Sequence, residues 1–403
     1  MPSNNIRLDA GATKVYGATS QEPSAADVLH EVVIPDNLWS VIGSLWLGTF
    51  LSSADATIVS TTANTIASSM NSSDQLTWIA TAYLITNTIF QPLVGKLSDI
   101  YGRKTVLIIA QFWFALGCLC CALARNVTEF AIARAIAGIG GGGMSALSSI
   151  ITTDVIPLRM RGVYQGYSNL MYSVGQFSGP VIGSFFLAFN QESGWRWMFA
   201  VQIPFVILAA FLVNMNIHDY RKDQEHIELW DRFTLENLKR IDLPGSFFLS
   251  GIIVSMLMLF GSSTKFDIYV WSSLLLVSVL CFYLVEKYVM LVHVIPPDAF
   301  KGVLRLTAFI IFFGAASVYS LNYMLPLYLQ IVLGFTQLQL GGFNTFVVFA
   351  SGGGSLLAGW LLTHEEKVHP DFIVQKAIKL TIHCCLGLFA GACLCLVGVS
   401  QIK

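Results

Sequence analysis

Gly95-Lys96-Leu97-Ser98-Asp99-Ile100-Tyr101-Gly102-Arg103-Lys104 is a short polar stretch between two long apolar runs, 76–95 and 104–124. It combines two glycines suited to a tight, closely packed turn, a carboxylate at a helix end and two cations able to pair with it. Charges paired at a helix-helix junction make a latch whose strength depends on whether the surrounding helices are open or closed. Read this way, the stretch is a gating loop joining two membrane crossings, and Gly95, Asp99, Gly102, Arg103 and Lys104 carry it.

Further apolar runs lie on both sides, at 39–63, 129–153, 163–189, 195–214, 241–263, 268–289, 305–333, 340–363 and 377–399, which makes eleven candidate crossings in all. Each is near the ~20 residues a spanning helix needs. The composition agrees: 55% of the 403 residues are hydrophobic, 12% are charged and the mean hydropathy is +0.65, against about 25% charged in ordinary soluble domains. The runs are continuous rather than alternating, which disfavours a sheet barrel. Prolines at 92, 180, 204 and 326 fall inside them and are tolerated where neighbouring helices satisfy the backbone. The expected fold is an all-α polytopic membrane protein.

Orientation follows from the 23 Lys and Arg residues. With the N-terminus in the cytosol, nearly all of them fall in inner loops, and only Arg125, Arg196 and Lys265 in outer ones. That bias satisfies the positive-inside rule. Two sequons, at Asn71 and Asn126, then lie in outer loops. The long inner loop carries Ile227, Trp230, Phe233 and Leu238 at near-helical spacing, as an interfacial amphipathic helix would. The eight cysteines all sit in apolar stretches and read as packing residues; no cofactor, metal site or nucleic-acid surface is expected. Residues 1–36 are polar and read as a tail rather than a signal peptide.

Two charges lie within spans. A carboxylate at membrane depth costs at least ~2.5 kcal/mol, so Asp55 needs a reason to be there. Out of water it is neutralised by a proton or by a cation. It could hold a proton or a positively charged substrate but not both, and that exclusion is itself an antiport mechanism; the structural alternative is a buried Asp held by local hydroxyls such as Ser52 or Thr57. Arg134 is the cationic counterpart and must find acceptors in protein or water. Gly138-Ile139-Gly140-Gly141-Gly142-Gly143 spells a dinucleotide fingerprint, but no strand precedes it, and glycines four apart serve close helix packing. Gly175, Gly179 and Gly183 line one face of the fifth span, where Pro180 supplies a bend. Tyr83, Asn87, Gln91, Gln165, Asn169 and Asn322 are polar residues within spans, suited to lining a central cavity or to interhelical hydrogen bonds.

The 95–104 stretch resembles the signature loop of the major facilitator superfamily. Ser53-Ala54-Asp55-Ala56-Thr57-Ile58-Val59, Ala133-Arg134-Ala135-Ile136-Ala137-Gly138 and Gly175-Gln176-Phe177-Ser178-Gly179-Pro180-Val181-Ile182-Gly183 resemble motifs of its fourteen-span drug:proton antiporters. Residues 78–104, 124–143 and 161–166 are similar to the yeast vacuolar basic amino acid permeases. The resemblance covers most of residues 39–363.

That resemblance implies two six-helix bundles about a midplane site. The parts would be a cytosolic tail (1–38), an N-terminal bundle (39–214), a cytosolic loop (215–240), two inserted linker helices (241–289) and an incomplete C-terminal bundle (290–403). Eleven of fourteen expected spans would be present, a truncation relative to the family. The second-half counterpart of the gating loop, 359–367, lacks the Asp and Arg of the pattern, and Ser184 stands where the fifth-span motif usually ends in Gly. The implied function is proton-coupled antiport of lysine, arginine and histidine at the fungal vacuolar membrane by a monomer, with Asp55 and Arg134 handling substrate and proton. Alternatives are a multidrug or siderophore exporter, a plasma-membrane location, and a non-transporting remnant or receptor. An enzyme is not expected.

Overall fold

The computed structural model describes residues 37–70, 76–157, 160–189, 194–217, 243–261 and 265–288, with isolated positions at 308–309, 311–314, 334 and 354. Among them are nine helices: α1 (Leu38–Ser69), α2 (Leu76–Tyr101), α3 (Arg103–Leu123), α4 (Val127–Val155), α5 (Arg161–Phe189), α6 (Gly194–Ala200), α7 (Gln202–Asn216), α8 (Leu243–Gly261) and α9 (Lys265–Tyr288). No strand occurs among the described residues. Leu38–Val59, Arg103–Leu123, Val127–Val155, Gly194–Asn216 and Phe266–Val285 are each long and apolar enough to cross a membrane. α2 and α5 are equally long but more polar on one face, and each contains a proline, Pro92 and Pro180.

The principal helix pairs are α1 with α5 and α4 with both α2 and α3; α8 and α9 pack on each other, and α8 touches α2. Glycine makes these approaches possible. A Cβ on Gly138 or Gly142 would strike the α2 backbone at Tyr83 or Asn87, and one on Gly140 would strike α3 at Ala110 and Phe114. The run from Gly138 to Gly143 is therefore a two-sided packing surface. Gly175 and Gly179 do the same for α5 against α1, where added Cβ atoms would meet the carbonyls of Phe50 and Ala54. Gly183 is buried on the same face.

Three expectations change on contact with the structure. The gating stretch is hardly a loop: residues 95–101 close α2 and Arg103 opens α3, so Gly102 alone breaks the chain. Its φ of 95° is open to glycine at no steric cost. Gly95 makes no turn; it is helical, and a Cβ there would rest 3.7 Å from Ile150. The sixth run is two helices end to end, joined at Val201, whose backbone stays helical (φ −63°, ψ −27°) and whose N–H reaches Trp197 O at 2.9 Å. What lapses at this joint is the hydrogen bond to Ala200, because Pro204 has no N–H to offer it.

The sequon at Asn126 has a structural job. Its side chain caps α4, accepting from Glu129 N at 2.8 Å while its own amide donates to Glu129 Oε1 at 2.9 Å. Cys118, Cys120, Cys121 and Cys281 are free thiols, buried or half-buried. The amphipathic-helix segment, the Asn71 sequon, Asn322 and residues 359–367 lie outside the described residues.

The core is layered. One buried apolar cluster runs from Val41 to Leu51 on α1, from Ala137 to Val155 on α4 and from Val206 to Val213 on α7. A second runs from Ile58 to Ala67 on α1, through Phe130 and Ala133 on α4, to Phe199 on α6. Between them on α1, α4 and the α6–α7 joint lie Asp55, Arg134 and Gln202. The polar layer is held between two greasy ones.

Candidate functional site

α1, α4 and the α6–α7 joint bring that layer together. Asp55 is fully buried and Arg134 is 1% exposed, and Arg134 Nη1 donates to Asp55 Oδ2 at 2.6 Å. The second guanidinium nitrogen, Nη2, donates to the Asp55 backbone carbonyl at 3.3 Å. Below the guanidinium lies the Tyr83 ring, 4.3 Å from the Arg134 Cζ to its centroid, with Phe199 at 5.7 Å; both faces are within cation-π range. Arg134 Nε is buried with no hydrogen-bond partner among the described residues. The other carboxylate oxygen, Asp55 Oδ1, accepts from Gln202 Nε2 at 3.3 Å.

The sequence leaves open whether Asp55 and Arg134 meet; in this structure they do. Asp55 has its cation 79 positions along the chain. In this conformation Asp55 is fully buried, with Arg134 on one carboxylate oxygen and Gln202 on the other. What the arrangement can do is hold a pair whose net charge is zero until a proton arrives. Breaking such a pair by losing one partner leaves an uncompensated buried charge, worth about 3–5 kcal/mol.

Tyr83 makes interhelical hydrogen bonds from α2 to α1. It is fully buried, donates to the Ser52 carbonyl at 3.0 Å and lies 3.2 Å from the Ser52 hydroxyl, which in turn donates to Gly141 O at 3.0 Å. Asn87 and Gln91 continue a ladder along α2: Asn87 Nδ2 donates to Tyr83 Oη at 3.4 Å and Gln91 Nε2 to Asn87 Oδ1 at 3.0 Å. On α5, Gln165 is half-buried and Asn169 exposed. Ser52, expected as a local hydroxyl that could hold Asp55, bonds Tyr83 and Gly141 instead. Gln202 is the residue that sequence reading passes over, although Gln91 and Gln165, amides of the same kind, stand out there as polar residues within spans.

The second charged cluster sits at one end of the bundle. Arg103 reaches Asp99 Oδ1 at 2.9 Å, Asp154 Oδ2 at 3.1 Å and the Ser98 hydroxyl. Lys104 Nζ donates to Asn214 O at 2.8 Å, tying α3 to the end of α7. These groups are half open to solvent, with Asp99 45% and Asp154 50% exposed. Asp154 was not anticipated, because it lies one residue past the expected end of the fourth span.

Residues 45–402 match the Major Facilitator Superfamily profile. The chain belongs to this superfamily. It is thus an integral membrane protein, of a family of transporters rather than enzymes. It is 39% identical over 350 residues to "Vacuolar basic amino acid transporter 1" of Saccharomyces cerevisiae, an alignment covering 86% of this chain and 60% of that one. It is 34% identical over 335 residues to "Multidrug resistance protein fnx1" of Schizosaccharomyces pombe, covering 80% and 60%. Among solved structures, the proton:xylose symporter XylE superposes with a TM-score of 0.54 at 17% identity, covering 88% of this chain and 78% of that one; the likeness is one of fold. The chain spans about 60% of the length of these two curated relatives.

Proposed function

We propose that this superfamily member is a proton-coupled antiporter that moves lysine, arginine and histidine across the membrane of an acidic compartment, the fungal vacuole. The supporting observation is the buried Asp55–Arg134 pair. With the pair closed, the polar layer is neutral and a cationic amino acid can approach its surroundings without repulsion. A proton from the acidic side, placed on Asp55, leaves Arg134 as an unbalanced buried cation. The layer then carries one extra positive charge, in a low-dielectric setting where like charges repel strongly. Substrate and proton exclude one another by charge rather than by sharing an atom. The direction of exchange follows from which side supplies protons.

The pair at the end of the bundle has a different part in this scheme. Asp99, Arg103 and Asp154 join α2, α3 and α4 at the side that the positive-inside rule assigns to the cytosol. They latch that end while the midplane pair changes state. Gly175, Gly179, Pro180 and Gly183 let α1 and α5 stay in close contact as the bundle rocks. The vacuolar assignment and the substrate class draw on the 39% identity to the vacuolar basic amino acid transporter.

The test is uptake of labelled lysine by vesicles carrying the full chain, with an imposed proton gradient, against a cationic dye. The expected result is saturable, gradient-driven lysine accumulation that an uncoupler collapses. Gradient-driven dye movement without lysine movement would favour a multidrug exporter, a reading that the 34% identity to fnx1 keeps in view.

A further inference from the structure

Gln202 is the one member of the buried polar layer that no motif singled out, and its amide is fixed by chemistry. Its Nε2 faces two acceptors at once, Asp55 Oδ1 at 3.3 Å and the Met198 carbonyl at 3.2 Å. The opposite orientation would press Oε1 against both oxygens, so hydrogen-bond logic selects the donor. As a result Oε1 is buried with no partner among the described residues, while the residue as a whole is 7% exposed. An unpaired buried carbonyl costs free energy, and here that cost accompanies keeping a donor on Asp55.

The two oxygens of Asp55 are thereby made unequal. Oδ1 faces a donor that has no proton-accepting capacity. Oδ2 faces Arg134 Nη1, which is also a donor. A proton on Oδ1 would meet the Gln202 N–H head on, and Gln202 is held in place at the first turn of α7 by its own bond to Met198. A proton on Oδ2 meets a guanidinium that has other contacts: the Tyr83 and Phe199 rings and the Asp55 carbonyl.

We infer that Gln202 is a positioning residue that directs the incoming proton to Asp55 Oδ2, so that protonation and the Asp55–Arg134 ion pair cannot coexist. In the step itself, a hydronium breaks one of its O–H bonds and leaves as water, an O–H bond forms at Asp55 Oδ2, the Nη1–H···Oδ2 hydrogen bond is lost, and Oδ1 becomes the carbonyl oxygen that still accepts from Gln202. No other bond is made or broken. The titratable groups that face Asp55 across the packed helices are Arg134 on α4, Tyr83 on α2, and Cys118 and Cys121 on α3; from α5, Tyr172 interacts with Tyr83. None of these offers Oδ1 a second donor.

Gln202 also stands directly after the α6–α7 joint, one residue past Val201. Its side chain thus links the protonation state of α1 to the joint of the sixth crossing. The inference rests on the proton-coupled reading above, and the experiment separates the two. Infrared difference spectra of the purified full chain in lipid, acidic minus alkaline, would show a protonated-carboxyl C=O band that Asp55→Asn removes. In Gln202→Met, which is nearly isosteric and has no donor, that band is expected to move to higher wavenumber, because the C=O loses its hydrogen bond. Lysine accumulation in vesicles is expected to lose its dependence on the imposed gradient in the same variant. Should Gln202→Met not fold, Gln202→Asn withdraws the amide by one methylene and is expected to give the same band shift. A band at Asp55 that stays put in these variants overturns the role of Gln202 alone. No band assignable to Asp55 overturns the proton-coupled reading together with it.

Discussion

Among the described residues, arginine meets aspartate in two settings. Asp55 and Arg134 meet at 2.6 Å in a layer with essentially no exposure; Arg103 meets Asp99 and Asp154 at 2.9 and 3.1 Å at a helix end where the carboxylates are about half exposed. In the first, burial removes water as an alternative partner, so the pair is costly to open and a single proton changes the charge of the whole layer. In the second, water replaces any partner that leaves, so opening and closing are cheap. A transporter needs both kinds. A switch must not leak, and a latch must not stick.

The largest expected effect comes from halving the buried pair. Arg134→Leu leaves Asp55 buried without its cation and is expected to destabilise the protein by about 3–5 kcal/mol, read as a fall in thermal stability in detergent, and to abolish gradient-driven lysine accumulation. Adding Asp55→Asn removes the orphaned charge. The double variant is expected to regain most of the stability but none of the accumulation. If it regained neither, the pair would be a structural fastening with no separable coupling role.

Next in size is the contact that holds Asp55 in place. Gly179→Leu puts a side chain where the Ala54 carbonyl and the Thr57 hydroxyl already stand, so α1 and α5 must part or the backbone must shift. Overpacking of this kind costs about 1–3 kcal/mol. Because Ala54 precedes Asp55 directly, coupling is expected to suffer along with stability, whereas Gly95→Ala, which meets only Ile150 at ordinary contact distance, should change neither. Equal losses in the two would mean that glycine content, rather than this approach, matters.

These residues also show where sequence reading reaches its limit. The crossings of α1–α5 and both charged motifs are visible in the sequence because hydropathy and the expense of a charge in lipid act locally: Asp55 and Arg134 stand out from their neighbours whatever the fold. Their pairing is not visible, since it depends on how helices 79 positions apart are rotated. Gln202 is invisible for a second reason. An uncharged amide in an apolar run, like Gln91 or Gln165, reads only as a polar residue of unspecified use, and only its two acceptors, supplied by α1 and by its own preceding turn, give Gln202 a role. The joint at Val201 was legible in Pro204, which sequence reading had excused as tolerable in membranes; the proline acts one turn before itself, by depriving Ala200. Gly102 was read correctly as a turn, but Gly95 was not, because a glycine that ends no helix looks the same in sequence as one that does.

At the exposed end, the expected effects are smaller and of a different kind. Arg103→Ala removes contacts to Asp99, Asp154 and Ser98 together. Each exposed pair is worth about 0.2–1 kcal/mol, so stability should change little. The predicted signature is kinetic: the maximal rate of lysine uptake falls while its half-saturating concentration is unchanged. A shift in half-saturation at constant maximal rate would place Arg103 in substrate binding and dissolve the distinction between switch and latch.

Salt offers the finest discrimination between the two pairs. The Debye length falls from about 10 Å at 0.1 M to about 3 Å at 1 M, so mobile ions compete for exposed charges and leave enclosed ones alone. Raising ionic strength should therefore weaken the wild-type contacts among Asp99, Arg103 and Asp154. The wild-type rate is then expected to approach that of Arg103→Ala, narrowing a gap that is widest at low salt. No such convergence is expected between wild type and Arg134→Leu, because in the conformation seen Asp55 has zero exposure and bulk salt ions do not screen it. The comparison uses one readout, the initial rate of lysine uptake at fixed osmolarity with an impermeant salt pair, so that the membrane and the gradient are the same in every arm. Were the Arg134 deficit to shrink with salt as the Arg103 deficit does, the midplane pair would have to admit salt ions, and not protons alone, for part of the cycle. Its neutrality would then be set by bulk ions rather than by the proton that the exchange scheme requires.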